Sequence, residues 1–202
     1  MQWLRVRFRG RGLLRHTALL PTILPEVAYA LIWLYIFNPV WGPLNWLLPL
    51  RGFPANAWLI EPGPAKLAIA ITLLWTVGEG IVLLLAVRRD VPTALYEAAA
   101  LDGANPETQF RFITLPLMLP FLVLLLCRDL LMTVGASFTA ALVMTRGAPY
   151  YATTYLPYWI YLHTTDFGQW GYAAALNLVL FALTLGALLG LLVLSRRWWR
   201  DA

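Results

Sequence analysis

Glu26, Glu79, Arg128 and Asp129 are ionisable residues set inside long runs of Leu, Ala, Val and Trp. An ionised group near the centre of a bilayer costs on the order of 2.5–3.5 kcal/mol on insertion scales, so each needs a partner or a water-lined cavity. Arg128 and Asp129 are adjacent, so on a helix they point about 100° apart and do not readily satisfy each other. The spacing therefore predicts that Arg128 pairs across helices with Glu26 or Glu79, and that the remaining carboxylates face a solute path. Trp75 stands one turn before Glu79, while Tyr29 and Trp33 follow Glu26 at helical spacing. Carboxylates beside aromatic rings suit a polyhydroxylated solute, whose hydroxyls need acceptors and whose C–H faces stack on rings. The plainer alternative is a structural ion pair with the aromatics as filler, and the residues alone leave both open.

Other chemistry is not indicated. His16 and His163 are isolated, with no Cys, Asp or Glu at ligand spacing, so no metal site is expected. The single cysteine, Cys127, lies in an apolar run and reads as a small buried hydrophobe. No nucleophile–base–orienter arrangement is visible, so no catalytic residue is assigned. No G-x-x-x-x-G-K-[ST] phosphate cradle occurs in the chain.

The elements that must position these residues are membrane helices. Of 202 residues, 60% are hydrophobic and only 12% charged, with ten Trp and a mean hydropathy of +0.68. A soluble domain of this length carries roughly twice that charge. About 20 apolar residues cross the hydrocarbon core. Four stretches qualify, at roughly 16–37, 65–87, 113–134 and 171–194, whereas Leu156–Leu162 is apolar but too short. The chain thus reads as a single transmembrane domain over 1–202, all-α and integral to the membrane. The first stretch is too long for a cleaved signal peptide, contains Pro21, Pro25 and Glu26, and has no cleavage site after it. Arg5, Arg7, Arg9, Arg11 and Arg15 precede the first span, Arg88, Arg89 and Arg111 lie between the second and third, and Arg196, Arg197 and Arg200 follow the fourth. The alternate loops carry only Arg51, Lys66 and Arg146. The positive-inside rule therefore predicts that both termini and the 88–112 loop are cytoplasmic. The net charge of +5 is accounted for by topology and lipid headgroups, and nucleic acid is not an expected partner.

That cytoplasmic loop is the most polar part of the chain. Asp90 or Thr93 is an expected helix cap with Pro92 in the first turn, and Leu95, Ala98, Ala99 and Asp102 recur at helical spacing. Gly103 supplies a left-handed stop, and Asn105-Pro106-Glu107 launches a second helix into the third span. The alanines leave a flat surface with one acidic handle, Glu97. Such a surface fits either a docking element for a cytoplasmic partner or an ordinary solvated loop.

Resemblance separates those two readings. The stretch is similar to the loop of binding-protein-dependent ABC importer permeases, whose pattern is Glu-Ala-Ala, three residues, Gly, nine residues, Ile, one residue, Leu-Pro. Here Glu97-Ala98-Ala99, Gly103, Ile113 and Leu115-Pro116 fall at those offsets, and Asp102-Gly103-Ala104 matches the family's frequent Asp-Gly-Ala. Phe37–Leu48, Leu73–Ala86, Met144–Thr153 and Gly171–Phe181 resemble the maltose and glycerol-phosphate branch, in the right order. The resemblance implies a permease core in which Glu97, Ala98, Ala99, Asp102, Gly103, Ile113, Leu115 and Pro116 form a coupling loop for a separate ATPase. It also implies that ATP and Mg act on a partner ATPase dimer, with no cofactor in this chain. The other implied partners are a second permease, giving a heterodimer or else a homodimer, an extracytoplasmic solute-binding protein, and lipid. The implied location is a bacterial or archaeal cytoplasmic membrane.

Family permeases have six or more spans, and the opening residues resemble the family from the loop before its third core span onward, so two N-terminal helices are expected to be absent. A remnant permease serving as a membrane scaffold for an ATPase is one alternative. A channel or ion-coupled carrier is another, and it leaves the docking loop unexplained. Tyr150, Tyr151, Tyr155, Tyr158, Trp159, Tyr161 and Trp170 crowd the outer loop as an interfacial belt or as sugar-stacking rings. Ala182, Gly186 and Gly190 form a small-residue stripe, expected to pack helices within the chain.

Overall fold

The computed structural model describes residues 23–200, with side chains through residue 195. Among these residues every regular element is helical. Three helical stretches are long and apolar enough to cross a membrane: Pro62–Asp90 (29 residues), Pro106–Thr145 (40 residues) and Trp170–Ser195 (26 residues). At about 1.5 Å per residue even the shortest exceeds the roughly 30 Å hydrocarbon thickness. A shorter apolar helix, α1 (Glu26–Ile36), covers the second part of the first expected span, and residues 16–22 of that span lie outside the described ones.

The first long stretch is not one straight helix. It divides at Thr76 into α2 (Pro62–Trp75) and α3 (Val77–Val87). At the break, Thr76 N–H donates to the Leu73 carbonyl and Glu79 N–H to that of Thr76, both three residues back. Thr76 Oγ1 donates to the Leu73 carbonyl as well, at 2.6 Å. Such tightened turns change the facing of residues on either side.

Ala65, Ala68, Ile69 and Thr72 are buried on α2 at spacings of three, four and seven, a single helical face. That face meets Ala30 of α1, Phe37 just after it, and Ala140 and Met144 at the end of the second long stretch, with Trp58 closing the cluster. The alanines let the backbones approach closely, the way membrane helices associate where lipid is as apolar as the side chains. The connection back from α1 is stapled by Asn45, whose amide donates to the Pro39 and Asn56 carbonyls while its oxygen accepts from Asn56 N–H and Trp58 Nε1.

The second long stretch comprises a short opening turn (Pro106–Gln109), a widened π turn (Phe110–Thr114), α4 (Leu115–Ala140) and a second π turn (Ala141–Thr145). Pro116 has no N–H and its ring would clash with the carbonyl four residues back, at Phe112; the widened turn accommodates it. After the left-handed Arg146, a short helix α5 (Leu156–Thr165) leads into α6 (Trp170–Arg200). Along α6 Phe181, Leu183, Leu189 and Val193 are all exposed, as expected of a helix whose surroundings are acyl chains or another subunit. The expected internal packing of the small-residue stripe is corrected here: a Cβ added at Gly186 or Gly190 would meet nothing within 4 Å.

Candidate functional site: a docking loop and a charged cavity

The loop after α3 opens with a tight turn, Arg88–Asp90, followed by a nine-residue helix, Thr93–Leu101. The expected cap is corrected: Pro92 occupies the cap position and no side chain caps the helix, because Thr93 is already its first residue. At the far end Asp102 N–H bonds the Ala98 carbonyl and Ala104 N–H the Ala99 carbonyl, which requires Gly103 between them at φ +80°. A side chain there would be strained in the left-handed region, and nothing lies within 4 Å of where its Cβ would stand. Glycine is needed for the backbone, and the space beside it is open. Asn105 then caps the next helix, its Oδ1 accepting from Thr108 N–H at 2.8 Å and from the Thr108 hydroxyl at 2.9 Å.

Glu97, Ala98, Asp102 and Gly103 are exposed, and Ala99 is half-buried. Leu101, the last residue of this helix, is 90% exposed. One contact ties the short helix to the membrane stretch: the Tyr96 hydroxyl lies 2.7 Å from the buried Thr114 hydroxyl. Ile113 sits in the π turn beside Thr114, and Leu115-Pro116 begin α4, so a displacement of the short helix has a direct mechanical route into the third span.

The second site is a cavity of about 270 Å³ between α1, the α2–α3 break and α4. Glu26, Tyr29, Glu79 and Arg128 all line it. Of the two carboxylates weighed for Arg128, Glu79 is its partner: Nη2 lies 2.6 Å from Glu79 Oε2. Asp129 is a correction. Its Oδ1 stands 3.3 Å from Arg128 Nη1, so the adjacent pair does make contact, because the long guanidinium curls back along its own helix while its other arm reaches Glu79. Gly80 makes room for this arrangement, since a Cβ there would come within 3.3 Å of Asp129 Oδ2.

Of Tyr29, Trp33 and Trp75, only Tyr29 lines the cavity. Its hydroxyl donates to the Thr72 carbonyl across helices at 2.8 Å. Trp33 and Trp75 do not line the cavity. Trp33 stacks on Phe37 (5.3 Å between centroids) and meets Trp75 edge-on (5.9 Å), as part of the apolar packing. The tight turn at Thr76 separates Trp75 from the face that carries Glu79. Sequence reasoning missed Thr72, Thr76 and Thr139, which complete the polar wall. Thr72 and Thr76 share the i, i+4 spacing that marks a polar stripe in an apolar helix; Thr139 is recognisable only through its 3.0 Å bond to Glu26, 113 residues away.

In the loop before α5, Tyr150 (90% exposed) and Tyr151 (74%) occupy left-handed backbone, and Tyr151 meets Trp159 edge-on. His163 is buried among Trp159, Phe167 and Tyr172, with Nδ1 2.8 Å from Gln169 Oε1. His16 lies outside the described residues. No group of three or more His, Cys, Asp or Glu able to hold a metal occurs among the described residues.

Residues 2–200 match the family described as binding-protein-dependent transport system inner membrane component. The trehalose/maltose transport system permease protein MalF of Thermococcus litoralis is 36% identical over 185 residues, covering 90% of this chain and 61% of that protein. The sulfoquinovosyl glycerol transport system permease protein SmoG of Agrobacterium fabrum is 35% identical over 173 residues, covering 85% and 56%. The sn-glycerol-3-phosphate transport system permease protein UgpA of Yersinia enterocolitica is 30% identical over 179 residues, covering 88% and 60%. This chain therefore spans about three fifths of the length of these relatives. A chain in the crystal structure of a bacterial ABC transporter involved in import of the acidic polysaccharide alginate superposes with a TM-score of 0.80 at 23% identity, over 97% of this chain and 69% of that one, which establishes likeness of fold.

Proposed function

The chain belongs to the binding-protein-dependent transport inner membrane family and is an integral membrane protein, and from that premise we propose that it is a transmembrane subunit of an ATP-driven importer for sugars or related polyols. One observation carries the reading: a short, alanine-faced, exposed helix stopped by a left-handed glycine is tethered to a membrane helix through Tyr96 and Thr114. A helix of about nine residues is marginal alone in water and gains most from packing against a partner. The partner is a cytoplasmic ATPase dimer, which holds the ATP and Mg. Glu97 supplies a charge for a basic residue on it, and Ala98 and Ala99 allow close approach. In this reading the loop and both chain termini are cytoplasmic, which the arginine distribution supports.

The relatives are named for trehalose/maltose, sulfoquinovosyl glycerol and sn-glycerol-3-phosphate, all carrying polyhydroxylated carbon skeletons. The cavity around Glu26, Tyr29 and Glu79 is this chain's share of the solute path. The cavity opens within one chain, so a second permease faces it to enclose a pathway, and an extracytoplasmic solute-binding protein delivers solute to the outer side. Copurification from native membranes with the partner subunits coexpressed tests the assembly. The expected product contains this chain, a second permease and the ATPase, and ATP-dependent uptake in proteoliposomes requires all of them. Uptake that is unchanged when the ATPase is omitted contradicts the proposal.

A further inference from the structure

Among the described residues, every hydroxyl proton in the cavity wall is already committed. Tyr29 donates to the Thr72 carbonyl, Thr72 Oγ1 to the Ala68 carbonyl at 2.9 Å, and Thr76 Oγ1 to the Leu73 carbonyl. Thr139 Oγ1 donates to Glu26 Oε2. What these groups still offer to the cavity is oxygen lone pairs, joined by the carboxylates of Glu26 and Glu79. Among the described residues Arg128 is the one cation in the lining, and it is held by two carboxylates, Glu79 at 2.6 Å and Asp129 at 3.3 Å. Glu26, Glu79 and Arg128 together give the described lining a formal charge of −1, and Asp129 adds a further negative charge behind Arg128.

Building on the solute-path reading, we propose that this cavity is selective by charge: it receives uncharged solutes through their O–H donors and rejects phosphorylated, sulfonated or carboxylated ones. A phosphate or carboxylate brings acceptors and negative charge to a wall made of acceptors and negative charge. The donors left to it in the described wall are the free N–H groups of Arg128, and to use them it must hold its negative charge beside those of Glu26 and Glu79 inside the membrane. A sugar hydroxyl meets no such repulsion: it donates to Glu26, Glu79 or a threonine oxygen, and its own oxygen can accept from the remaining guanidinium N–H groups. Glu26 and Glu79 are thus specificity determinants as well as part of the wall.

The potential inside the cavity can be read without knowing the solute. In a Cys127→Ser background, Ala136→Cys places a thiol on the cavity lining, and Met132→Cys gives a second, more exposed position should the first fail to accumulate. In membrane vesicles without an applied potential, modification by a cationic methanethiosulfonate is compared with that by an anionic one, each normalised to a free thiol in solution. The expected cation preference is about tenfold or more at the separations in this cavity. It should fall toward unity with Glu26→Gln and Glu79→Gln combined. A parent preference at or below unity overturns the proposal, as does a preference that the two substitutions leave unchanged. In the assembled importer, uptake of sn-glycerol 3-phosphate or glucuronate in preference to uncharged sugars and glycerol overturns it while leaving the importer reading intact. No modification at either cysteine, with an exposed Tyr150→Cys reacting normally, sinks the solute-path reading itself.

Discussion

Glu97 and Asp102, on the docking loop, stand exposed and form no ion pair among the described residues, whereas Glu79, Arg128 and Asp129, in the spans, engage one another within 3.3 Å. The contrast follows from the two solvents. Water holds an unpaired carboxylate at little cost, so a surface can keep a charge in reserve for a partner. The bilayer does not, so a charge there is matched within the chain or faces a cavity. Unpaired charge on the loop points outward to another protein; paired charge in the membrane points to the chain's own architecture and to whatever enters the cavity beside it.

The sharpest way to break the contrast is at Gly103. Gly103→Pro replaces φ +80° with a ring fixed near −65°, so the turn between the short helix and Asn105 must be rebuilt. ATP-dependent uptake should disappear while membrane abundance, which depends on the spans, stays near normal. Loss of both together would show that the loop supports folding rather than docking. Glu97→Ala, next in size, should weaken ATPase binding by roughly 2–5 kcal/mol if its partner charge becomes buried in the complex. Affinity of the purified chain for the ATPase measures this, and unchanged affinity removes Glu97 from the interface.

Within the membrane, Arg128→Gln leaves Glu79 and Asp129 without their cation. With the pair partly exposed, a loss of about 1–3 kcal/mol is expected. It should read out as lower abundance, partly restored by Glu79→Gln. Abundance that is unaffected would mean that water in the cavity already screens the cluster. The smallest effect belongs to the join between the regions. Tyr96→Phe removes the 2.7 Å contact to Thr114, worth about 0.5–1.5 kcal/mol, and should lower the coupling ratio of solute moved to ATP hydrolysed without lowering ATPase binding. A fall in binding instead would place Tyr96 in the interface.

The same two regions differ in how much of them could be read from the chain. The loop is contiguous, so Gly103, Asn105 and the Glu-Ala-Ala run stand at fixed offsets and their local roles follow from backbone chemistry; the left-handed glycine and the Asn105 cap are where the spacing predicts. The all-helical fold and its membrane-length helices followed from composition and apolar runs. The cavity draws on three separated segments, and its errors are those of long range. Trp75 looked like a neighbour of Glu79 at ideal helical spacing, but the tight turn at Thr76 breaks that spacing, while Trp33, on the same unbroken helix as Glu26, packs against Phe37 and Trp75 and does not line the cavity. The reach of a guanidinium lets Arg128 touch both Glu79 and its own neighbour, which the 100° rule for adjacent residues does not anticipate. Thr139 is polar in the sequence and meets Glu26 only once α1 is laid beside α4.

The central claim is that the exposed loop, and not another exposed surface, meets the ATPase. It is tested most directly by cross-linking single cysteines in the Cys127→Ser background, at Ala98 on the loop and at Tyr150 on the opposite side of the membrane, within the assembled importer. The account predicts a product between Ala98→Cys and the ATPase whose yield changes with ATP, and none from Tyr150→Cys. A product from Tyr150→Cys, or none from Ala98→Cys while the complex stays intact, would contradict it.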